Sequence, residues 1–541
     1  MNASDQDPPA DIDDAIDLRC DALVIGGGIN GAGVARDLAG RGWSVVLCEQ
    51  HDLAQHTSSS STKLIHGGLR YLEHREFSLV RKALIEREGL LRCAPHIMWP
   101  LRFVLPHDRG MRPTWMIKLG LWLYDHLAPR DFLPPSGHIY LKDHPAGQPL
   151  KTSFRDAYVY SDGWVDDARL VVLCAQDARE HGAHIFTRTR CEHLQTTDQG
   201  WNALLAHRDP ATDRLTHQIR VQAKLVVNAA GPWADKLQHM LDGAHQVSTQ
   251  GRAAKPAAAQ QQLRLVKGSH IVVPRLFTHD NAYIFQQPDG RIVFAIPYEQ
   301  QFTLIGTTDV DHLGDPAQAQ IDEQEIDYLC DAVNRYFKRG VQPSDVVWSY
   351  AGVRPLLDDE HGKAAHVTRD YRLDHGRGLS PWISVWGGKI TTFRKLAEEV
   401  GHLGSELLDD PRPAWTEGAI LPGGRLIELI DAALDPVSDM VEFKLRLRQR
   451  HPWLDLNLTR RWSQQYGAAV LPLLRGLNSK ADLGPEVAPN LFEAELFHLQ
   501  RQEWACTAED VLWRRTKLGL HYSAQDRQAV ADWFAAPRRA K

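Results

Sequence analysis

Gly26, Gly28 and Gly31 follow a short apolar run, Leu23 to Ile25, and Glu49 lies 21 residues after Gly28. Glycine at these points lets the backbone approach a pyrophosphate at the N-terminus of the next helix, because no side chain holds the phosphates away. A carboxylate at the end of the following strand accepts hydrogen bonds from a ribose diol, and its charge disfavours a 2′-phosphate. The spacing predicts an ADP-containing dinucleotide site; a glycine-rich turn in an unrelated α/β domain is the alternative.

Those residues require a strand, a helix and a second strand in that order. The apolar run before Gly26 predicts a buried strand, the alanine-rich segment from Ala32 to Ala39 predicts a helix, and Ser44 to Cys48 predicts the second strand. The apolar segment Lys224 to Gly231 also stops at a glycine. It predicts another buried strand that delivers a backbone turn to the same ligand.

The rest of the chain divides by its patterns. Four serines at 58–61 lead to the glycine pair 67–68 and predict a loop that wraps the cofactor, because a linker there would interrupt the first domain. Residues 263–308 are rich in strand patterns, with Pro-Asp-Gly at 288–290 marking a hairpin turn, and predict an antiparallel substrate-binding sheet. Helical periodicity dominates after Gly404 and predicts a separate helical domain.

Length and composition exclude several classes of protein. A chain of 541 residues exceeds one core, so two to four domains are expected. The formal charge of −6 gives no reason to expect nucleic acid. Seven scattered cysteines without a C-x-x-C spacing favour a reducing compartment and argue against a structural zinc site, so no metal is predicted.

Two segments bear on location. The acidic first 20 residues lack an apolar core, so they predict a disordered lead-in and neither a secretion signal nor a transit peptide. No window holds about 18 consecutive apolar residues, which argues against a spanning helix. The basic, aromatic segment Arg109 to Arg130 can rest in a membrane interface; a core helix with snorkelling cations is the alternative.

An ordered set of motifs then extends along most of the chain. The set resembles the FAD-dependent glycerol-3-phosphate dehydrogenases, in particular the bacterial aerobic enzymes, from about Asp21 to about Leu520. Only the acidic tail and the Ala/Gln-rich insertion at 246–262 fall outside it. The motifs are GGGINGAG, SSSSTKLIHGGLRYLE, YSDGWVDDARLV, NAAGPW, KGSHIVVP, IGTTD, GVRPL, TRDY, WGGKITTFRKLAE and DVLWRRTKLGL.

The resemblance implies an α/β (α+β) architecture. It combines a Rossmann-like FAD domain of the D-amino-acid-oxidase type, an antiparallel cap over the flavin and a C-terminal helical domain. The expected division is a tail at 1–20, a discontinuous FAD-binding domain at 21–85, 161–232 and 345–402, a cap at 86–160 and 233–344, and the helical domain at 403–541.

The resemblance also implies an activity. The family oxidises sn-glycerol 3-phosphate to dihydroxyacetone phosphate on FAD and passes electrons to ubiquinone. Its bacterial members are homodimers bound peripherally to the cytoplasmic face of the inner membrane. Mitochondrial relatives add a calcium-binding EF-hand region, and the absence of a D-x-[DN]-x-[DN]-G loop favours the bacterial form.

Three other functions remain open. One is an oxidase of the same substrate that reduces oxygen. Another is an amine oxidase of the same fold acting on glycine or sarcosine, against which the expected site cations argue because an amine substrate repels them. The third is a non-catalytic nucleotide-binding protein. A flavin band bleached by glycerol 3-phosphate would exclude the third.

Matching the motifs residue by residue gives the expected catalytic groups. Oxidation of the C2 hydroxyl needs a base within hydrogen-bond reach, and His270 in KGSHIVVP is the expected one. Arg354 is expected beside the reacting hydroxyl, where it stabilises the developing alkoxide. Arg70 and Arg369 are expected on the substrate phosphate, since a guanidinium suits its geometry. Tyr71 is expected to pack beside the substrate.

Lys389 is expected to serve both substrate and cofactor. It follows Gly387 and Gly388 at the start of the last FAD-domain helix, whose amides would approach the pyrimidine end of the flavin and stabilise the anionic reduced ring. The complete set of expected cofactor-binding residues is Gly26, Gly28, Gly31, Glu49, Ser58, Lys63, Leu64, Gly67, Gly68, Gly231, Gly388, Lys389, Ile390 and Thr391.

Overall fold

The computed structural model describes residues 16–73, 75–108, 112–248, 263–357 and 370–536. The acidic tail up to residue 15, most of the Ala/Gln-rich insertion, Arg109 and Arg369 therefore lie outside the described residues. Residues 16–20, which the sequence assigns to the disordered tail, instead form the start of the first strand, where they pair with residues 219–223. The strands are β1 Ile16–Ile25, β2 Val45–Cys48, β3 Leu64–Ile65, β4 Met98–His107, β5 Gly137–Tyr140, β6 Asp156–Val165, β7 His184–Phe186, β8 Thr189–Thr197, β9 Gly200–Arg208, β10 Leu215–Asn228, β11 Leu263–Pro274, β12 Ala282–Gln286, β13 Ile292–Tyr298, β14 Phe302–Gly306, β15 Val310–Asp311, β16 Trp348–Leu357, β17 Arg372–Gly376, β18 Trp382–Trp386, β19 Glu486–Ala488 and β20 Leu491–Phe492.

The α-helices lie between and after these strands. None of those in the described part of the chain is both long and apolar enough to cross a membrane. They are α1 Ile29–Gly40, α2 Phe77–Cys93, α3 Thr114–His126, α4 Asp167–Glu180, α5 Ala234–Ser248, α6 Glu323–Asn334, α7 Phe393–Leu407, α8 Pro436–Arg450, α9 Leu456–Tyr466, α10 Val470–Leu473, α11 Glu493–Glu503 and α12 Ala524–Ala535.

The first sheet is the scaffold of the predicted nucleotide-binding unit. Its central strands run in the order β18-β10-β1-β2-β7 and are parallel, while β17 and the β8–β9 hairpin join them antiparallel. Alternate residues of β1 enter opposite cores: Ala22 and Val24 pack with α1, α4 and α7, and Leu23 and Ile25 pack towards α5. Helices therefore cover one face of the parallel strands, and α5 together with the β8–β9 hairpin covers the other, which is why these strands are apolar throughout.

The second sheet is the predicted cap. Strands β15-β11-β14-β13-β12-β4-β6-β3 follow one another, with β16 paired to β11 and β5 to β6; all of these pairs are antiparallel except β12 with β4. One face packs on α6, and the other packs on α2 and α3. Strands β3 and β16 come from segments expected in the FAD-binding domain, yet they pair in this sheet, so the two domains share strands around the site.

The last part of the chain forms its own apolar core from α8 to α12. A two-stranded sheet, β19 and β20, interrupts the helices that the sequence predicts there. His96, from the segment between α2 and β4, is fully buried where this domain meets the rest. A Cβ added at Gly423 or Gly467 would lie about 3 Å from its ring, and neither ring nitrogen has a hydrogen-bond partner among the described residues.

Candidate active site

A cavity of about 720 Å³ is lined by residues of both sheets. The carboxyl ends of β1, β2 and β10 contribute the turn after Ile25, Glu49 and the segment from Ala229 to Trp233. The cap sheet contributes Phe103 and His270. Ligands of open parallel sheets bind outside the carboxyl ends of their strands, so this cavity occupies the position expected for the dinucleotide.

The turn between β1 and α1 is possible only with glycine. Gly26 has φ +117°, and a Cβ there would lie 2.4 Å from the carbonyl oxygen of Ala229. A Cβ at Gly31 would lie 1.8 Å from the carbonyl oxygen of Gly26. Ser58 accepts a hydrogen bond at 2.9 Å from the amide of Ile29, the first residue of α1. The serine loop therefore meets the helix N-terminus at the point where a phosphate is expected.

Glu49 follows β2 and faces the same cavity. Its Oε2 accepts a hydrogen bond from the Gly27 amide at 2.6 Å, and its Oε1 accepts one from the His51 amide at 2.8 Å. Burial raises the pKa of this carboxyl, and the two amides oppose that rise. Each carboxylate oxygen has a further lone pair. The carboxylate is therefore oriented by the backbone and still able to accept a ribose diol, as an ADP half requires.

Another part of the cavity wall is formed by the turn before α7. Gly387 and Gly388 have φ of +72° and +97°. The side chain of Asn30 donates a hydrogen bond at 3.0 Å to the carbonyl oxygen of Gly387, and Thr391 accepts one at 3.2 Å from the amide of His66. The first bond joins the start of α1, and the second joins the residue after β3, to the last segment of the FAD-binding domain. Lys389, Ile390 and Thr391 line the cavity beyond this turn.

His270 lies on β11, opposite Gly306 of β14 and Tyr350 of β16. A Cβ at Gly306 would lie 2.0 Å from the imidazole, so only glycine leaves room for the ring. The ring stacks on Tyr350 at 4.8 Å, and its Nε2 lies 2.9 Å from the hydroxyl of Thr62. Its Nδ1 has no partner among the described residues. One ring nitrogen is thus oriented by Thr62, and the other is buried without a hydrogen-bond partner among the described residues.

Burial holds the pKa of His270 well below its usual value, and the nearby charges of Lys63 and Arg354 add to this effect. The imidazole is therefore neutral near pH 7. A neutral imidazole that lines the cavity can accept a proton from a ligand hydroxyl, which is the role expected for it.

Arg354 lies on β16 and reaches over Gly268, where a Cβ would lie 2.5 Å from its Nη2. That Nη2 is 2.7 Å from Oδ1 of Asp309 and donates to the carbonyl oxygen of Thr308 at 2.8 Å. Asp309 and Arg354 both line the cavity. The guanidinium is therefore held by a carboxylate that sequence reasoning did not identify.

Lys389 and Tyr71 lie together on the cavity wall. The Lys389 ammonium is 4.1 Å from the centroid of the Tyr71 ring, a favourable cation–π arrangement. Arg70 precedes Tyr71 in a 3₁₀ turn, Leu69–Leu72, but its side chain is outside the described part of the structure. Arg369 is outside it altogether. The expected roles of these two arginines stay predictions.

Three expected cofactor residues, Gly31, Lys63 and Gly67, lie behind the cavity wall. The buried ammonium of Lys63 is 2.7 Å from Oδ1 of Asp167 and 3.0 Å from the carbonyl oxygen of Ser59, so it ties the serine loop to α4. The other expected residues that the structure describes in full do line the cavity: Gly26, Gly28, Glu49, Ser58, Leu64, Gly68, Tyr71, Gly231, His270, Arg354, Gly388, Lys389, Ile390 and Thr391.

Comparison with known proteins defines the class. Residues 21–394 match the family model described as FAD dependent oxidoreductase, and residues 415–536 match the C-terminal domain of alpha-glycerophosphate oxidase. The fold is therefore that of the D-amino-acid-oxidase type of flavoprotein, and the cofactor of the chain is FAD. The architecture expected from the sequence is confirmed.

Relatives narrow the class to a family. The chain is 49% identical over 516 residues to a glycerol-3-phosphate dehydrogenase of Pseudomonas aeruginosa, covering 95% of this chain and 94% of the relative. It is 46% identical to a D-erythritol 1-phosphate dehydrogenase of Brucella abortus, covering 95% and 97%. The X-ray structure of the glycerol-3-phosphate dehydrogenase from Bacillus halodurans complexed with FAD matches with a TM-score of 0.73 and 27% identity, covering 96% and 90%. The chain belongs to the FAD-dependent glycerol-3-phosphate dehydrogenase family.

Proposed function

We propose that this flavoenzyme oxidises sn-glycerol 3-phosphate to dihydroxyacetone phosphate and passes the electrons to a membrane quinone. The observation that carries the proposal is the placement of His270 and Arg354 on the same cavity as Lys389 and the Gly387–Gly388 turn. A base, a guanidinium and an ammonium there suit an anionic alcohol substrate, and the names of the relatives agree with that class.

Within this proposal bound FAD would supply the acceptor for the hydride that leaves C2 of the substrate. His270 takes the C2 hydroxyl proton, because its imidazole lines the cavity, is neutral and has one ring nitrogen without a partner among the described residues. The Nε2 contact with Thr62 and the stacking on Tyr350 fix the plane of the ring. Arg354 stabilises the negative charge that develops on the C2 oxygen, while Asp309 keeps the guanidinium in position.

The phosphate is assigned to Lys389, with Arg70 and Arg369 retained as proposed partners from the family motifs. Lys389 lines the cavity with Tyr71, which also orients it. The carboxylate of Asp309 contacts the guanidinium of Arg354, so a phosphate dianion placed close to that pair would be repelled by it. The phosphate is therefore better placed beside Lys389 than beside Arg354, which lies next to the carboxylate of Asp309.

The test is anaerobic reduction of the bound flavin. Glycerol 3-phosphate should bleach the visible flavin band of the purified protein, and D-erythritol 1-phosphate should do so more slowly at equal concentration. Faster bleaching by D-erythritol 1-phosphate would identify that compound as the preferred substrate. The proposed reaction, oxidation of an alcohol phosphate on FAD, would still stand. No bleaching by either alcohol phosphate would refute the proposal.

The surface of α3 supports an electron acceptor located in a membrane. Ile117, Leu121 and Tyr124 of this helix are buried against the cap, whereas Trp115 and Trp122 are 65% and 56% exposed. Met116 and Leu119 are also exposed on it. Aromatic and long apolar side chains on one exposed helix face are typical of an interfacial membrane contact. This face supports peripheral binding to a membrane, and the cytoplasmic side of that membrane is part of the proposal from the family resemblance.

The cations around α3 contribute less to membrane binding than the sequence alone suggests. Arg112 is 2.7 Å from Glu73, and Arg130 is 2.6 Å from Asp125, so both are paired within the protein. Lys118 is exposed on the helix. Apolar insertion rather than charge is therefore expected to dominate binding.

A pair of matched variants tests the membrane contact. Trp115→Ser with Trp122→Ser should release the enzyme from anionic lipid vesicles in a sedimentation assay, whereas Leu313→Ser with Leu434→Ser, which alter exposed residues elsewhere, should not. Equal binding of both variants would exclude α3 as the contact.

Stoichiometric peroxide formation in place of reduction of a quinone analogue would assign the oxidase activity instead. A homodimer is part of the proposal, to be tested by the mass of the particle in solution.

A further inference from the structure

The segment that follows Glu49 is joined to the C-terminal domain by buried charges. Asp52 is 1% exposed. Its Oδ2 is 2.7 Å from Nε of Arg514, and its Oδ1 accepts a hydrogen bond at 2.7 Å from Nη2 of Arg515. These partners are 462 and 463 residues away along the chain. Asp52 lies in the segment that follows Glu49, the residue expected to bind the ribose. Its charge is thus neutralised by arginines of the C-terminal domain, although none of the described residues of that domain lines the cavity.

A second buried carboxylate completes the arrangement. Asp510 accepts two hydrogen bonds from Nη2 of Arg188, both at 2.7 Å, and also contacts Arg514. Arg188 precedes Thr189 and Arg190, which line the cavity. Nη1 of Arg188 also donates to Oε1 of Gln55 at 3.2 Å, and Gln55 lines the cavity as well. We call Asp52, Arg188, Asp510, Arg514 and Arg515 the charge ring.

Local structure explains why one short segment can supply so many partners. Residues Asp510–Arg515 form a π-helical turn. In an α-helix, consecutive side chains point about 100° apart, whereas here Arg514 and Arg515 both reach Asp52. The amides of Cys506 and Thr507 donate to Oδ2 of Asp510 at 2.8 and 3.0 Å. Burial opposes ionisation of Asp510, but Arg514, Arg188 and Arg515 hold its pKa below the usual range.

Backbone hydrogen bonds continue from the charge ring to Glu49. The amide of Arg188 donates to the carbonyl oxygen of His51 at 2.8 Å, and the amide of Thr189 donates to that of Glu49 at 2.7 Å. The two segments that form this wall of the cavity are therefore bound to each other and, through their charges, to the C-terminal domain. Buried ions cost free energy unless they are paired, so losing any one partner leaves an uncompensated charge under this wall.

We propose that the charge ring makes the C-terminal domain a structural part of the FAD site, positioning the wall that binds the adenosine half. The inference rests on the family's cofactor and not on the substrate or the electron acceptor. Its residues are positioning residues, since none of them contacts the expected phosphate or flavin region. They act through Glu49, His51 and Gln55.

The test compares ligands that reach different parts of the site. Apoenzyme of the full chain is titrated with FAD, ADP and FMN, of which FMN lacks the adenosine half. If loss of one partner leaves the wall in its binding conformation for about a tenth of the time, the apparent Kd rises about tenfold. Asp52→Asn and, independently, Asp510→Asn should therefore weaken FAD and ADP about tenfold and leave FMN within about twofold.

Glu503→Gln is the matched control. Glu503 pairs with Arg169, both side chains are 1% exposed, and the pair also joins the C-terminal domain to the FAD-binding domain. The backbone carbonyl of Glu503 accepts a hydrogen bond at 2.9 Å from Nε of Arg515, and Glu503→Gln leaves that carbonyl in place while removing the charge that pairs with Arg169. The control should lower the thermal midpoint without changing the Kd of FAD or ADP. Because Asp510 lies outside the wall, Asp510→Asn keeps the test valid if Asp52→Asn does not fold.

Three results would overturn the proposal. One is an unchanged Kd for FAD and ADP in the folded variants. Another is equal weakening of FMN, since that would mean general loosening of the domain. The last is the same weakening of FAD in Glu503→Gln, which would show that any interdomain ion pair has this effect.

Discussion

Replacing His96 by leucine tests the junction between the FAD-binding and C-terminal domains. The imidazole is fully buried, and neither ring nitrogen has a hydrogen-bond partner in the part of the chain that the structure describes. Burial lowers the pKa of His96 to about 3, and the charge of Arg169 contributes. The unfolded chain therefore binds a proton at this side chain near pH 6.5, whereas the folded chain does not until the pH is much lower.

The magnitude follows from that difference. Because the unfolded state binds more protons below pH 6.5, the free energy of unfolding falls with pH from 6.5 towards 3. Between pH 7 and pH 5 this one side chain accounts for a loss of about 2 kcal/mol. The figure hardly depends on the exact folded-state pKa, because the imidazole stays neutral in the folded protein at pH 5 for any value near 3 or 4.

The assay is urea unfolding of the holoenzyme at pH 7 and pH 5, followed by tryptophan fluorescence. The wild-type protein should lose about 2 kcal/mol more than His96→Leu between the two pH values. The variant should be no less stable at pH 7, because it removes polar atoms that lack partners. A wild-type protein and variant with equal pH dependence would refute the reasoning, since His96 would then be hydrated or partnered in solution.

Three further predictions concern the site. His270→Asn should lower turnover about 10²–10⁴-fold with a smaller change in KM, and a pH–rate profile identical to that of the wild-type enzyme would remove it as the base. Arg354→Ala should lower kcat/KM at least about 10²–10³-fold while FAD stays bound; near-normal turnover would place Arg354 outside the site. Gly26→Ala should weaken FAD at least about tenfold through backbone strain of about 1–3 kcal/mol at positive φ, whereas Gly314→Ala, at an exposed position, should leave the Kd unchanged.

The elements that the sequence predicts well are those whose contacts are local. The turn from Gly26 to Gly31, helix α1 and strand β2 follow from apolar runs and glycine spacing within about one βαβ unit. Because the strand–helix–strand order predicts two parallel neighbouring strands, Glu49 and Gly26 are expected at the same edge of the sheet. This inference needs no information from the rest of the chain. The apolar segment ending at Gly231 is predicted for the same reason, and it does form the neighbouring parallel strand.

Pairings between distant residues leave no such pattern. Thr62 meets His270 across 208 positions, and Asp52 meets Arg515 across 463. The partner of Arg354, Asp309, stands in the quoted IGTTD motif but shows no spacing that predicts an ion pair. Lys63 illustrates a different limit: its motif predicts a cofactor contact, but in the fold its buried ammonium pairs with Asp167 behind the wall.

The hydrogen bond between Asn30 and Gly387 also constrains how the protein is made. Synthesis on the ribosome must pass residue 387 before the first and last segments of the FAD-binding domain can meet, and it must pass residue 515 before Asp52 gains its arginines. Contacts this far apart in sequence form slowly, and the uncovered strand edges of the emerging chain are exposed to misassembly in the meantime. Flavin insertion is therefore a late event in biogenesis, so cells short of riboflavin should accumulate complete but protease-sensitive chains.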